Sequence, residues 1–183
     1  MSRLRRESGY SLVESLIVMA IMGVVMTGVT TVFVSGSGAQ LDANRRFQAQ
    51  QDGRVALDKI RREIHCASSG AVTTVSGTPT TYKLTLTLPS GCGSTISWCT
   101  VSVGSSTTRF ALYRQASSSC GSGSGTKWVD YLTTANVFPT YTAQSPTSLA
   151  SLRVDFPISV KQSSTIDAYE LTDTIYLRNS TRE

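Results

Sequence analysis

From Tyr10 to Val34 the chain carries one charge, Glu14, in an otherwise uncharged and largely apolar run. As an α-helix these 25 residues would span roughly 37 Å at 1.5 Å per residue, enough to cross a bilayer. A carboxylate inside such a run costs about 2.5 kcal/mol or more at the bilayer centre, and less near the interface. Glu14 stands close to one end of the run, so it is a functional candidate that needs a partner. Gly23 and Gly28 lie further along. In a membrane, small residues let helices approach closely.

Arg3, Arg5, Arg6 and Glu7 give the segment ahead of this run a net charge of +2. Basic residues before an apolar stretch hold that end in the cytoplasm, which predicts N-terminus inside and the bulk of the chain outside. A secretory signal peptide has an apolar core of about 7–15 residues ending at a site resembling Ala-x-Ala. This run is longer, and no such site follows it cleanly. A plain signal anchor explains the length and the basic flank. It leaves Glu14 and the Gly9-Tyr10 junction unexplained.

Gly9 is followed by an aromatic residue, Tyr10, and Glu14 is the fifth residue after that glycine. This arrangement resembles the class III signal peptide of the type IV pilin superfamily. The resemblance implies cleavage between Gly9 and Tyr10 by a prepilin peptidase, with methylation of the new Tyr10 amine. It also implies that Glu14 meets the N-terminal amine of a neighbouring subunit, since a buried charge becomes tolerable when paired. That pair cannot form while Gly9 still blocks the amine, so processing would gate assembly. Tyr10 stands where phenylalanine is usual; it is also a large aromatic suited to an interface.

Gly36-Ser37-Gly38 reads as an interruption and a flexible joint. Helical character returns over 40–66, where Ala56, Leu57, Ile60 and Ile64 recur at helical spacing and predict the stripe that docks on a domain. Asp58 and Arg62 stand four apart, as do Lys59 and Glu63, and both read as supporting pairs. From about Ala71 the composition shifts to Thr, Ser, Val and Tyr. Leu84, Leu86 and Leu88 alternate with threonine, which predicts a half-buried strand. Further strands are expected over 95–103, 109–115, 127–132, 152–160 and 171–177. The fold class is therefore α+β, a long N-terminal helix packed on a C-terminal antiparallel sheet. The organisation expected is leader 1–9, membrane and assembly helix 10–34, amphipathic continuation 35–66 and β-rich domain 67–183. Beyond the membrane segment about 149 residues remain, enough for one real core.

Cys66, Cys92, Cys99 and Cys120 all follow the membrane segment, and an even count in an exported region points to disulfides. Four cysteines allow three full pairings. A hairpin centred near Ser106 puts Cys92 and Cys120 at mirror positions, which favours Cys92–Cys120 with Cys66–Cys99 left over. No Cys-x-x-Cys occurs and His65 is the one histidine, so neither a metal nor a cofactor is called for. No nucleophile motif, carboxylate pair or phosphate loop points to an enzyme. Asn179-Ser-Thr181 matches a glycosylation sequon, a common accident in a chain this rich in Ser and Thr.

The body is similar to minor pilins and pseudopilins of the W and J type in three short stretches. These are Ala56-Leu-Asp-Lys-Ile-Arg-Arg-Glu-Ile64, Leu112-Tyr113-Arg114 and Ile175-Tyr-Leu-Arg178-Asn179. The resemblance implies a structural subunit of a type IV pilus or a type II secretion-like pseudopilus. Its partners would be a prepilin peptidase, other pilin or pseudopilin subunits and an inner-membrane assembly platform. It would sit first as a single-pass cytoplasmic membrane protein and then in a filament. An alternative is a pilin-anchored adhesin or DNA-binding subunit. The net charge of +5 is too dispersed to mark a nucleic-acid binder, so nucleic acid enters only through a DNA-uptake role.

Overall fold

The computed structural model describes residues 11–76, 79–104, 106–117, 120, 125–161 and 168–180. Among the described residues one helix, α1 (Leu12–Cys66), precedes eight strands. These are β1 (Ser69–Val75), β2 (Thr81–Thr87), β3 (Ile96–Ser102), β4 (Phe110–Gln115), β5 (Thr126–Leu132), β6 (Thr140–Thr142), β7 (Ser151–Ile158) and β8 (Tyr169–Tyr176). All pair antiparallel in one sheet of order β1-β2-β3-β4-β5-β7-β6, with β8 paired to β7. The expected α+β class, a long apolar N-terminal helix with an antiparallel sheet, is the one observed.

The chain divides into two units, Met1–Asn44 and Arg45–Glu183. In the first, residues 11–41 are exposed throughout. The joint expected at Gly36-Ser37-Gly38 is absent, because α1 continues through it. Glycine costs a helix only about 1 kcal/mol relative to alanine. The Ser37 hydroxyl turns back to donate to the Val34 carbonyl (3.0 Å), so it does not compete for a non-helical backbone.

In the second unit α1 buries Ala49, Gly53, Ala56, Leu57, Ile60, Glu63 and Ile64. Steps of three and four residues place these on one face, as the apolar spacing predicts. Opposite them stand Leu84 and Leu86 of β2, Ile96 and Trp98 of β3, and Phe110 and Leu112 of β4. Leu152, Val154, Phe156 and Ile158 of β7 extend the same core. Their period of two is the sheet alternation that puts one side of each strand inside. β7 is shared: β5 meets it at Ile158, β6 at Ser151–Arg153, and β8 along its whole length.

The disulfides differ from the favoured pairing. Cys66 joins Cys92 and Cys99 joins Cys120. The β3–β4 register does mirror about residue 106, with Cys99 opposite Tyr113. Cys92 lies outside that ladder, however, in a turn after β2 where its N–H donates to the Pro89 carbonyl (2.8 Å). The β1–β2 ladder sets Ser69 against Thr87, which brings the end of α1 beside that turn. The chain beyond β4 places Cys120 against the face of β3 that carries Cys99, opposite the helix. A second local expectation also shifts. The Asp58 carboxylate is taken by Arg61 (2.8 Å), while Arg62 donates to the Asp58 carbonyl oxygen instead (3.3 Å).

Gly53 lies where the helix packs tightly on the sheet. A Cβ there would collide with the Ile158 side chain and stand 3.2 Å from Leu171. Ile158 is itself buried, with little room to give. Gly53→Val is expected to cost about 1–3 kcal/mol by overpacking, read as a lower urea midpoint for the detergent-solubilised chain.

Candidate functional site

Two places hold the chemistry that the sequence singles out. The first is the apolar unit of α1. Of the residues singled out there, Gly9 and Tyr10 lie outside the described residues. Glu14 is described, in the first turn of α1. The negative charge suits that position, because the unpaired N–H groups of a helix start carry partial positive charge. Around it Leu12, Val13, Leu16, Ile17 and Val18 are all more than half exposed. Further along, the Thr27, Thr30 and Thr31 hydroxyls donate to the carbonyls of Gly23, Met26 and Thr27 at 2.8, 2.8 and 2.7 Å. Their polar groups are therefore satisfied within the helix and require no water. Glu14 has no hydrogen-bond or ion-pair partner among the described residues. A Cβ at Gly23 or Gly28 would meet nothing within 4 Å, so both leave bare backbone surface open to a close neighbour.

This helix is long and apolar enough to cross a membrane, with a mean hydropathy of 2.3 in its most apolar window and none of that window buried. Residues 4–30 match the prokaryotic N-terminal methylation motif, which is of type IV pilin type. The match takes in Gly9, Tyr10 and Glu14 and stops well short of the sheet. No curated protein and no solved structure shows significant similarity to the chain. The motif and the apolar helix together fit a membrane-anchored, pilin-like chain of the kind that prepilin peptidase processes.

The second place is the buried end of α1, where the sequence reading saw only a helix pair. The Glu63 side chain is 7 % exposed. One carboxylate oxygen accepts the Trp98 indole N–H (2.8 Å). The other accepts Arg114 Nε (2.8 Å) and pairs with Lys59 Nζ (3.1 Å). Trp98 and Arg114 are direct cross-strand partners on β3 and β4, so they reach the helix side by side. The signal was present in the spacing. Glu63 falls three residues after Ile60 and seven after Ala56, on the apolar stripe, where a carboxylate demands partners. Nothing in the sequence named Trp98 and Arg114 as those partners.

A second carboxylate cluster holds β5. Asp130 pairs with Arg109 (3.0 Å) and Lys127 (3.1 Å) and accepts the Tyr131 backbone N–H (2.7 Å). Burial raises its pKa, but the Tyr131 N–H, Lys127 and Arg109 together outweigh that and hold it below the usual carboxylate value. Tyr131 has φ +64°, a strained setting for a bulky residue. The β4–β5 register slips here, and the Arg109 guanidinium lies 4.2 Å from the Tyr131 ring centre.

His65 is committed to the Tyr176 carbonyl (2.9 Å), and the Asn179 amide donates to the Cys66 carbonyl (2.9 Å). Trp98 and Trp128 pack on each other at 5.8 Å. Among the described residues no three His, Cys, Asp or Glu side chains gather at metal-holding distance.

Glu63→Ala would leave the Trp98 N–H buried and unpaired and strip Arg114 of its anion. The expected cost is about 2–4 kcal/mol, at the lower side of the range for a buried pair because Arg114 is partly exposed. Urea unfolding followed by tryptophan fluorescence reads it. Asp130 behaves differently with pH. Its folded pKa is depressed, so its contribution is complete above about pH 4, the usual carboxylate value, and fades as pH falls through the folded value. Wild type and Asp130→Asn are therefore expected to differ in melting temperature at pH 7 and to converge well below pH 4.

Proposed function

We propose that the chain is a minor pilin or pseudopilin. In this reading prepilin peptidase cleaves between Gly9 and Tyr10 and methylates the Tyr10 amine. The exposed apolar helix then leaves the bilayer for a bundle of like helices, in a type IV pilus or a type II secretion-like pseudopilus. The assembly platform and other subunits are its partners, and the β-rich unit makes contacts outside the membrane.

The observation that carries this reading is the match over residues 4–30 taken together with Glu14, a carboxylate with no partner among the described residues, in the exposed apolar part of α1. In water such a carboxylate needs nothing. In a bilayer or an apolar bundle it needs a positive charge. The amine released at Tyr10 of a neighbouring subunit supplies one, four residues from Glu14 in sequence. The pair therefore sets an axial offset between adjacent helices.

Intact-mass and N-terminal analysis of membrane-extracted protein, with and without the host peptidase, tests this. A start at Tyr10 carrying one added methyl group is expected when the peptidase is active. Retention of Met1–Gly9 in its presence would defeat the reading. Glu14→Ala is expected to leave cleavage intact while removing the chain from sheared filaments, as seen by immunoblot of the filament fraction.

A further inference from the structure

We propose that the Cys66–Cys92 bridge is a redox-sensitive latch, opened and closed in the folded protein by an external dithiol that attacks at Cys92, whereas Cys99–Cys120 is a fixed structural bond. Exchange depends on access to the sulfur attacked and on how readily the other leaves as a thiolate. The two bridges differ on both counts. Cys92 sits in the turn between β2 and β3, where Ser90 to Ser94 are exposed throughout. Gly91 and Gly93 flank it and add no side chains that could shield its sulfur. The residue that would leave, Cys66, is half-buried. The negative end of α1 opposes a thiolate there, but that effect is confined to the last turn and is screened by solution. In the other bridge Cys99 is fully buried, which blocks attack on its sulfur. Attack at half-buried Cys120 would have to release the charge on Cys99, and apolar burial pushes a thiol pKa up.

Opening Cys66–Cys92 leaves the end of α1 in place. Ser68 donates to the Thr87 carbonyl from both its N–H (3.0 Å) and its hydroxyl (3.1 Å). The Asn179 amide holds the Cys66 carbonyl, and His65 holds the Tyr176 carbonyl. Ile64 and Ala67, on either side of Cys66, are fully buried. The turn has no such holds. Its one backbone bond, from the Cys92 N–H to the Pro89 carbonyl, is internal. Among the described residues no hydrogen bond from Ser90–Ser94 reaches another element. The bridge is therefore what pins the turn to the helix, and the reduced state is a folded domain with a released turn and two thiols.

The exchange runs in two steps. One thiolate of the dithiol attacks Cys92 Sγ. The Cys66–Cys92 bond breaks as the new S–S bond forms, and its electron pair leaves on Cys66 Sγ, which takes up a proton. The second thiolate of the dithiol then attacks the mixed disulfide and releases Cys92 as a thiol. Two electrons and two protons pass to the protein, and the dithiol becomes a disulfide. The reverse sequence closes the latch.

The test treats the full chain in detergent with reduced dithiothreitol for graded times, quenches with iodoacetamide and maps the labelled peptides by mass. Cys66 and Cys92 should be alkylated together, about tenfold or more ahead of Cys99 and Cys120. Fluorescence of the buried Trp98 should stay native meanwhile. Proteinase K cleavage within 89–95 should rise in step with the alkylation. Excess reduced glutathione, a monothiol, locates the point of entry: the trapped adduct should carry glutathione on Cys92 and the alkyl group on Cys66. The double variant Cys66→Ser with Cys92→Ser holds the latch open, so it should keep native fluorescence and be cleaved within 89–95 without any reductant. Equal rates for the two bridges, a glutathione adduct mainly on Cys66 or none, or a turn that resists cleavage after Cys92 has reacted would each overturn the proposal. So would loss of the native fluorescence, either as Cys66 and Cys92 react or in the double variant.

Discussion

The Glu63 carboxylate governs how the second half of α1 meets the sheet. Burial of Ala56, Leu57, Ile60 and Ile64 draws the helix down, but hydrophobic attraction has no direction. Hydrogen bonds do. Trp98 and Arg114 are neighbours across β3 and β4, near the middle of the sheet, and both donate to the same carboxylate. That meeting fixes the rotation of the helix and its position along the strands. Gly53 adds a second fixed point about 15 Å earlier along the axis, where the missing Cβ lets the helix settle on Ile158. Two points on a rigid rod set its crossing angle. The Cys66–Cys92 bridge then ties down the rod's end.

The outer part of the sheet is held by other means. At Tyr131 the β5 backbone enters a left-handed setting that costs about 1–3 kcal/mol in a non-glycine residue. The Asp130 carboxylate offsets it by accepting the Tyr131 N–H, and Arg109 spans both residues, pairing with Asp130 and lying over the Tyr131 ring. The shifted register allows Val129 and Leu132 both to face the core, two residues that strict alternation would send to opposite sides. On the face away from the helix, the Cys99–Cys120 bridge covers β3, which explains why Ile96 to Thr100 are all buried.

What the sequence disclosed followed the strength of its periodicity. The alternation at Leu84, Leu86 and Leu88 marked β2, and the apolar spacing at Ala56–Ile64 marked the docking stripe, because each pattern spans several repeats. β1 escaped notice because its apolar residues, Ala71, Val72 and Val75, follow neither period. An edge strand that is half-buried at most leaves only a weak burial pattern to read. β6, with three residues, is too short to show one. The disulfide pairing failed on connectivity and not on chemistry. The mirror centre near 106 was right, yet it applies only inside the β3–β4 ladder, and Cys92 and Cys120 both lie beyond its ends. Glu63 was visible as a charge on an apolar face and in its pairing with Lys59, but its partners on the sheet are 35 and 51 residues away, beyond what spacing along a helix can reach.

Glu14 and Glu63 stand on one helix and show what each half of the chain lacks. Glu63 is removed from water, and three groups of its own chain compensate it at 2.8, 2.8 and 3.1 Å. That unit closes on itself. Glu14 stands among exposed leucine, isoleucine and valine with no such groups within the described residues. An aqueous surface would leave those apolar side chains unburied, and a bilayer would leave the carboxylate uncompensated. Neither solvent alone suits both. The surroundings that do are apolar along the helix and cationic at one point near its start. Packing among apolar helices that bring a positive charge to that one point would have that distribution.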